Sequence, residues 1–150
     1  MTIMELIGKA VVALLALAGF FLATYIRSTK KKAAPLVCPL EGSCEEVIFS
    51  KYSTILGMPI ENIGMTYYFL TATVYILSIL FPPMMPSWIP YIILGASACA
   101  FIFSIYLTAV QAVLLRHWCT WCLMSAGLCT LIFMLALLVL NKNILSIFGV

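Results

Sequence analysis

Residues 62–115 read NIGMTYYFLTATVYILSILFPPMMPSWIPYIILGASACAFIFSIYLTAVQAVLL, without one fully charged side chain. After Arg116 and His117, residues 118–141 read WCTWCLMSAGLCTLIFMLALLVLN, again without one. Stretches of this kind suit lipid. The hydrocarbon core of a bilayer is about 30 Å thick and takes ~20 apolar residues per helix. Inside it every backbone N–H and C=O must be paired within the protein, which favours helix. The reading gives spans at about Gly64–Phe81, Trp88–Leu115 and Trp118–Leu140, and upstream a first span at about Ile3–Ile26. The predicted fold class is an all-α membrane protein: a four-transmembrane-helix bundle embedded in the lipid bilayer.

Composition points the same way. Of 150 residues, 65% are hydrophobic and 9% charged, with eight Lys or Arg and five acidic residues, every one a Glu. A soluble globular domain carries about 25% charged residues, so a soluble enzyme and a disordered tail are both excluded. The net charge of +3 is dispersed and too small to grip a phosphate backbone, so no nucleic-acid partner is expected. A cleavable signal peptide would need its basic residues before the apolar run. Here Arg27, Lys30, Lys31 and Lys32 follow it. Residues 1–150 are expected to form a single domain.

The connections organise the bundle. Pro82-Pro83-Met84-Met85-Pro86 breaks the chain between the second and third spans. Only Arg116 and His117 separate the third and fourth, which must be antiparallel neighbours. The one long connection runs from Arg27 to Ile63. Four spans place it on the same side of the membrane as Arg116 and His117, with the termini and the Pro-rich turn on the other. Within it, Pro35 to Cys44 reads as a turn, with Pro39 and Gly42. Ser43-Cys44-Glu45-Glu46 then fits a capping box. Val47, Ile48, Tyr52 and Ile55 fall on one helical face, and Gly57 and Pro59 end the pattern. A short amphipathic half-helix is therefore expected over the bundle mouth, apolar side down. A plain interfacial anchor fits the spacing equally well.

Six cysteines stand at 38, 44, 99, 119, 122 and 129. Cys38 and Cys44 lie in the long connection, and Cys119 and Cys122 form Cys-Thr-Trp-Cys at the start of the fourth span. Cys99 and Cys129 sit deep in apolar runs and read as small packing hydrophobes. Residues i and i+3 share a helix face, so the sulfurs of Cys119 and Cys122 can bridge. A helix N-terminus and a neighbouring cation such as Arg116 favour thiolate, the attacking species in disulfide exchange. Cys44, at the first position of the loop helix, gains the same benefit. Two dithiol pairs at one membrane face suggest a relay, with the loop pair delivering a disulfide to a partner. Two alternatives stay open on the cysteines alone: a closed tetrahedral zinc site, and purely structural disulfides.

The pattern as a whole resembles the vitamin K epoxide reductase family in its stand-alone prokaryotic form. The features carrying the resemblance are the loop pair Cys38 and Cys44, Ser50 six residues after Cys44, and Cys119–Cys122 opening the last span. Ser53-Thr54-Ile55-Leu56-Gly57-Met58-Pro59 with Gly64, and Tyr106-Leu107 leading to Trp118-Cys119-Thr120-Trp121-Cys122, are similar to bacterial members. The resemblance implies that Cys38 exchanges with a thioredoxin-like partner and that Cys44 shuttles to Cys119. It implies that Cys122 faces a quinone of the menaquinone or ubiquinone type, drawn from the quinone pool, and that Ser50 hydrogen-bonds near that centre. Vertebrate members place a Tyr four residues after the second Cys, where this chain has Ala126, and an Asn near Ile60 or Ile63. Quinone reduction coupled to disulfide formation is therefore expected in preference to epoxide reduction. No thioredoxin-like domain follows the last span, so the partner is expected on a separate chain.

A quinone needs an apolar slot with one or two hydrogen-bond donors. The candidate contacts are Ser50, Gln111, Ile48, Ile63 and Tyr67. Gln111 is a polar residue inside an apolar run, costly there and often functional, although it equally suits a bond to a neighbouring helix. Tyr67 and Tyr68, and Trp88, Trp118 and Trp121, also fit an aromatic belt. Arg27, Lys30, Lys31, Lys32, Lys51 and Arg116 lie on the cysteine side, against Lys9 and Lys142 elsewhere. The positive-inside rule then puts the cysteines in the cytosol, whereas the family's usual active site faces outward. An inverted member in the cell membrane of a prokaryote with disulfide-rich intracellular proteins, a hyperthermophile, is the expectation. A DsbB-like quinone-linked oxidase carries its two cysteine motifs in the opposite order. A metal-binding membrane protein would want buried carboxylates or more than the one His.

Overall fold

The computed structural model describes residues 3–32, Cys38 and residues 44–147, the last six by backbone alone. The expected turn over 35–43 and the capping residue Ser43 lie outside the described residues. The described residues form five α-helices: α1 (Ile3–Lys31), α2 (Cys44–Ile48), α3 (Ile60–Leu80), α4 (Ile89–Ala109) and α5 (Thr120–Ile147). Helices α1, α3, α4 with its continuation to Leu115, and α5 are long and apolar enough to cross a membrane. The protein is an integral membrane four-helix bundle, with the short helix α2 in the connection between the first two spans.

Helix α1 is the centre of the assembly. It packs against both α3 and α5, and α4 lies along α5. In lipid, helices gain little from hiding apolar surface, so close backbone approach matters most and small residues mark the seams. Small residues accordingly dominate the buried face of α1: Ala13, Ala16, Gly19 and Ala23, beside Val12, Leu22 and Ile26. Gly19 lies under the ring of Tyr68, where a Cβ would stand 2.4 Å from a ring carbon. Tyr68, Ala72 and Tyr75 from α3 and Cys129 and Ile132 from α5 complete this core. Large apolar side chains such as Phe69, Leu80, Ile102 and Leu138 point outward to where lipid lies.

Several local expectations are corrected. The first helix runs on past Ile26 to Lys31, its basic last turn suiting the negative end of the helix dipole. The loop helix stops at Ile48 and does not reach Ile55. A 3-10 turn follows at Lys51–Ser53, then a two-stranded hairpin, β1 (Thr54–Ile55) with β2 (Met58–Pro59). Ile55 pairs with Met58, so Leu56 and Gly57 form a two-residue turn, both with positive φ, 51° and 79°. That is the turn whose twist matches a hairpin, and Gly57 allows it. The third span is not uniform either: α4 ends at Ala109, and Val110–Leu115 is a π-helical turn closed by Arg116 in the left-handed region, φ 54°. The last helix begins at Thr120 instead of Trp118.

Candidate active site

The bundle has a second buried cluster at the end that bears α2. Leu22 and Ile26 of α1, Cys44, Val47 and Ile48 of α2, and Cys119 form it, with Cys38, Leu115, Trp121 and Cys122 packed against it. The four cysteines of the two motifs are thus in one packed unit. Cys38 and Cys44 are joined by a disulfide, their Cα atoms 6.0 Å apart, and the Cys44 N–H donates to Cys38 Sγ at 3.2 Å. Cys119 and Cys122 are free thiols. Cys44 and Cys119 are 1% and 0% exposed. The disulfide removes two of the four thiolates a closed zinc site requires, and no group of three or more metal-ligating side chains occurs among the described residues.

Cys119 is the N-cap of α5. Its carbonyl accepts the Leu123 N–H at 3.0 Å, and its Sγ accepts the Cys122 N–H at 3.4 Å, so the sulfur fills the place of a capping oxygen. Its own N–H donates to Gln111 Oε1 at 3.2 Å. Gln111 is 4% exposed and sits in the π turn, a wider helical turn that often marks functional positions. The hydrogen bond from the Cys122 thiol is the main cause holding the Cys119 thiol below its ordinary value. The N–H groups of Cys122 and Trp121 assist, and burial opposes them. Thiolate at Cys119 is the form that attacks or leaves in exchange.

A cavity of about 130 Å³ adjoins this cluster, lined by residues that include Cys122, Gln111, Ser50, Ile48, Glu61 and Tyr68. For scale, an apolar cavity of about 150 Å³ holds one benzene. Cys122 borders it, whereas Cys38, Cys44 and Cys119 do not. Gln111 has Oε1 engaged by Cys119, which leaves its NH2 group to offer the cavity. Ser50 Oγ donates to the Val47 carbonyl at 2.7 Å, so what it can offer is an acceptor lone pair.

Of the candidate contacts, Ser50, Gln111 and Ile48 line the cavity, and Ile63 and Tyr67 are not among its lining. Ile63 is exposed. Tyr67 donates to Ser97 Oγ at 3.0 Å, deeper in the bundle. Tyr68 is not a belt residue: it is 1% exposed, and its hydroxyl meets Ser125 Oγ at 2.9 Å and Cys129 Sγ at 3.2 Å. Trp88 and Trp118 are exposed, as belt residues are, but Trp121 packs on Tyr25 with ring centroids 5.1 Å apart. Cys129 is buried as a packing residue should be, whereas Cys99 is exposed. Sequence reasoning missed Glu61 and Lys30 at this site. Glu61 reads as the last charge before an apolar run and Lys30 as one of a loop cluster. In the structure Lys30 Nζ contacts Glu61 Oε1 at 3.1 Å and Ser53 Oγ at 2.9 Å.

The bundle packs a disulfide against a free dithiol, an arrangement that fits a membrane thiol–disulfide oxidoreductase. The profile of the family described as the vitamin K epoxide reductase family matches residues 10–137. The chain belongs to that family. A comparison with curated proteins finds no match. Members of the family generally use quinones as electron acceptors or donors and work with thioredoxin-like partners in the membrane.

Proposed function

We propose that the protein takes electrons from a thioredoxin-like dithiol and passes them through its two cysteine pairs to a quinone, so supporting protein disulfide formation. The observation that carries this reading is the shared cluster of Cys44 and Cys119, together with Cys122 on the cavity wall. The partner's thiolate attacks Cys38, and the Cys38–Cys44 bond breaks with Cys44 as leaving group. The partner's second thiol then resolves that mixed disulfide. Cys44 attacks Cys119 of an oxidised inner pair, and Cys122 leaves as thiolate. Cys38 closes on Cys44 again and releases Cys119. That transfer leaves the loop pair oxidised and the inner pair reduced. A quinone, when bound, supplies a two-electron, two-proton acceptor. Ile48 and the other apolar walls exclude water, Gln111 NH2 donates a hydrogen bond, and Cys122 presents the electron-rich sulfur.

The test is anaerobic mixing of the purified, dithiothreitol-reduced protein with a menaquinone, following quinol by absorbance. Stoichiometric quinol is expected from the wild type and none above background from Cys122→Ser. Normal turnover by Cys122→Ser would remove the proposed electron exit. We further propose that the cysteine face is cytosolic in the prokaryotic cell membrane, on the excess of Lys and Arg at that end. Membrane-impermeant thiol labelling of reduced intact cells should then miss Cys38.

A further inference from the structure

Glu61 is the second residue of α3, and its side chain is 9% exposed. The bland account of a carboxylate there is pairing with Lys30 plus the positive end of the helix dipole. That account covers Oε1, which Lys30 Nζ meets at 3.1 Å. It leaves Oε2 unexplained: the atom is buried without a hydrogen-bond partner among the described residues. A buried polar atom left unpaired forfeits its hydration without compensation, and such atoms in native structures usually have a reason. Glu61 also lines the cavity that Cys122 and Gln111 border. Lys30, tied also to Ser53 Oγ at 2.9 Å, fixes the carboxyl from the side away from its free oxygen.

We propose that Glu61 is the proton-transfer group of this cavity, with Oε2 handing a proton to an oxygen of the electron acceptor as the Cys119–Cys122 dithiol is oxidised. This deepens the quinone reading and rests on it. Making the bond from the Cys119 thiolate and the Cys122 thiol breaks one S–H bond and releases one electron pair and one proton. Reduction of a quinone to hydroquinone consumes that pair and two protons, so no other reductant enters. Glu61 gives its proton to the near oxygen. The Cys122 proton completes the hydroquinone, and Glu61 is left as the carboxylate that Lys30 pairs, to be reprotonated from water. A carboxyl suits both ends of the reaction: as acid it donates to a ring carbonyl, and as carboxylate it accepts from the hydroxyl that forms. Lys30 is a positioning residue that touches neither sulfur nor acceptor in this scheme.

The experiment uses the full chain in detergent, reduced and mixed anaerobically with a short-chain ubiquinone. Glu61→Gln is expected to slow single-turnover quinol formation by about 100-fold, the lower end of what a positioned general acid contributes. Exchange between the two cysteine pairs, read by gel shift after alkylation, should be unchanged. The infrared difference spectrum on adding the quinone should contain a carboxyl C=O band in the wild type that Glu61→Gln lacks. Should Glu61→Gln fail to fold, Glu61→Asp keeps the carboxyl one methylene farther away and should show an intermediate rate. Wild-type rates in either variant, or no carboxyl band on quinone addition, overturn the assignment. A wild type that exchanges disulfides normally but forms no quinol overturns the quinone reading itself, and this proposal with it.

Discussion

The two ends of the bundle are built differently. Toward the termini, α1, α3 and α5 are regular helices joined by small residues, and their core is Val12, Ala13, Ala16, Ala72 and Ile132. Toward the cysteines, regularity ends. There the chain forms the five-residue helix α2, a 3-10 turn, a hairpin with two positive-φ residues, and a π turn ended by a left-handed arginine. Irregular backbone at membrane depth is tolerated where it is buried in protein or lines a cavity, and here it adjoins the cavity and the sulfur cluster. The regular end holds the helices at fixed distances. The irregular end uses that rigidity to bring Cys44, Cys119 and Gln111 together.

Substitutions should separate the two ends. Cys119→Ser, at the irregular end, should reduce quinol formation driven by a partner dithiol to background while leaving the thermal melt in detergent near that of the wild type. A folded variant that still turns over would break the link between the cluster and the activity. Gly19→Ala, at the regular end, should do the opposite. A Cβ 2.4 Å from the Tyr68 ring forces α1 and α3 apart and should cost about 1–3 kcal/mol, as overpacking does, read as a lower melting temperature. An unchanged melt would mean that the seam is looser than its geometry indicates.

Smaller effects sharpen the picture of the irregular end. The Cys122 thiol is the main group holding Cys119 toward thiolate. A donor to the thiolate lowers its pKa, so its removal in Cys122→Ala must raise it. The pH midpoint for alkylation of reduced Cys119 by iodoacetamide should move upward in that variant. A midpoint that stays put or falls would assign the effect to the backbone N–H groups instead. Burial raises the midpoint and slows the absolute rate in both proteins alike. The smallest effect belongs to His117 Nε2 and Glu46 Oε2, 2.6 Å apart, which link the α4–α5 connection to α2. Both side chains are substantially exposed, and pairs of that kind contribute ~0.2–1 kcal/mol. Glu46→Gln should lower stability by no more than that, with exchange between the cysteine pairs slowed only slightly. A large loss of exchange would make this contact a latch on α2.

Much of this was legible in the residues. The four spans follow from unbroken apolar runs, and Cys119 and Cys122 share a helix end because of their spacing. The hairpin was not legible, because Val47, Ile48, Tyr52 and Ile55 fit a helical period that the chain abandons after Ile48. The π turn was not either: Val110–Leu115 contains ordinary helix formers with no breaker among them. Tyr68 resembles an interfacial aromatic until its hydroxyl is seen to meet Ser125 and Cys129 across the bundle.

Taken alone, the amino-acid order determines that the protein spans the membrane, how many times, and where its reactive sulfurs fall along the chain. Those properties depend on local composition and short spacings, set by the thickness of lipid and the pitch of a helix. Tertiary structure alone decides that Cys44 is buried with Cys119, that Gln111 gives its oxygen to the Cys119 N–H, and that Glu61 Oε2 is buried beside the cavity with no partner among the described residues. These are contacts between residues far apart in sequence, and their energies depend on how whole helices pack.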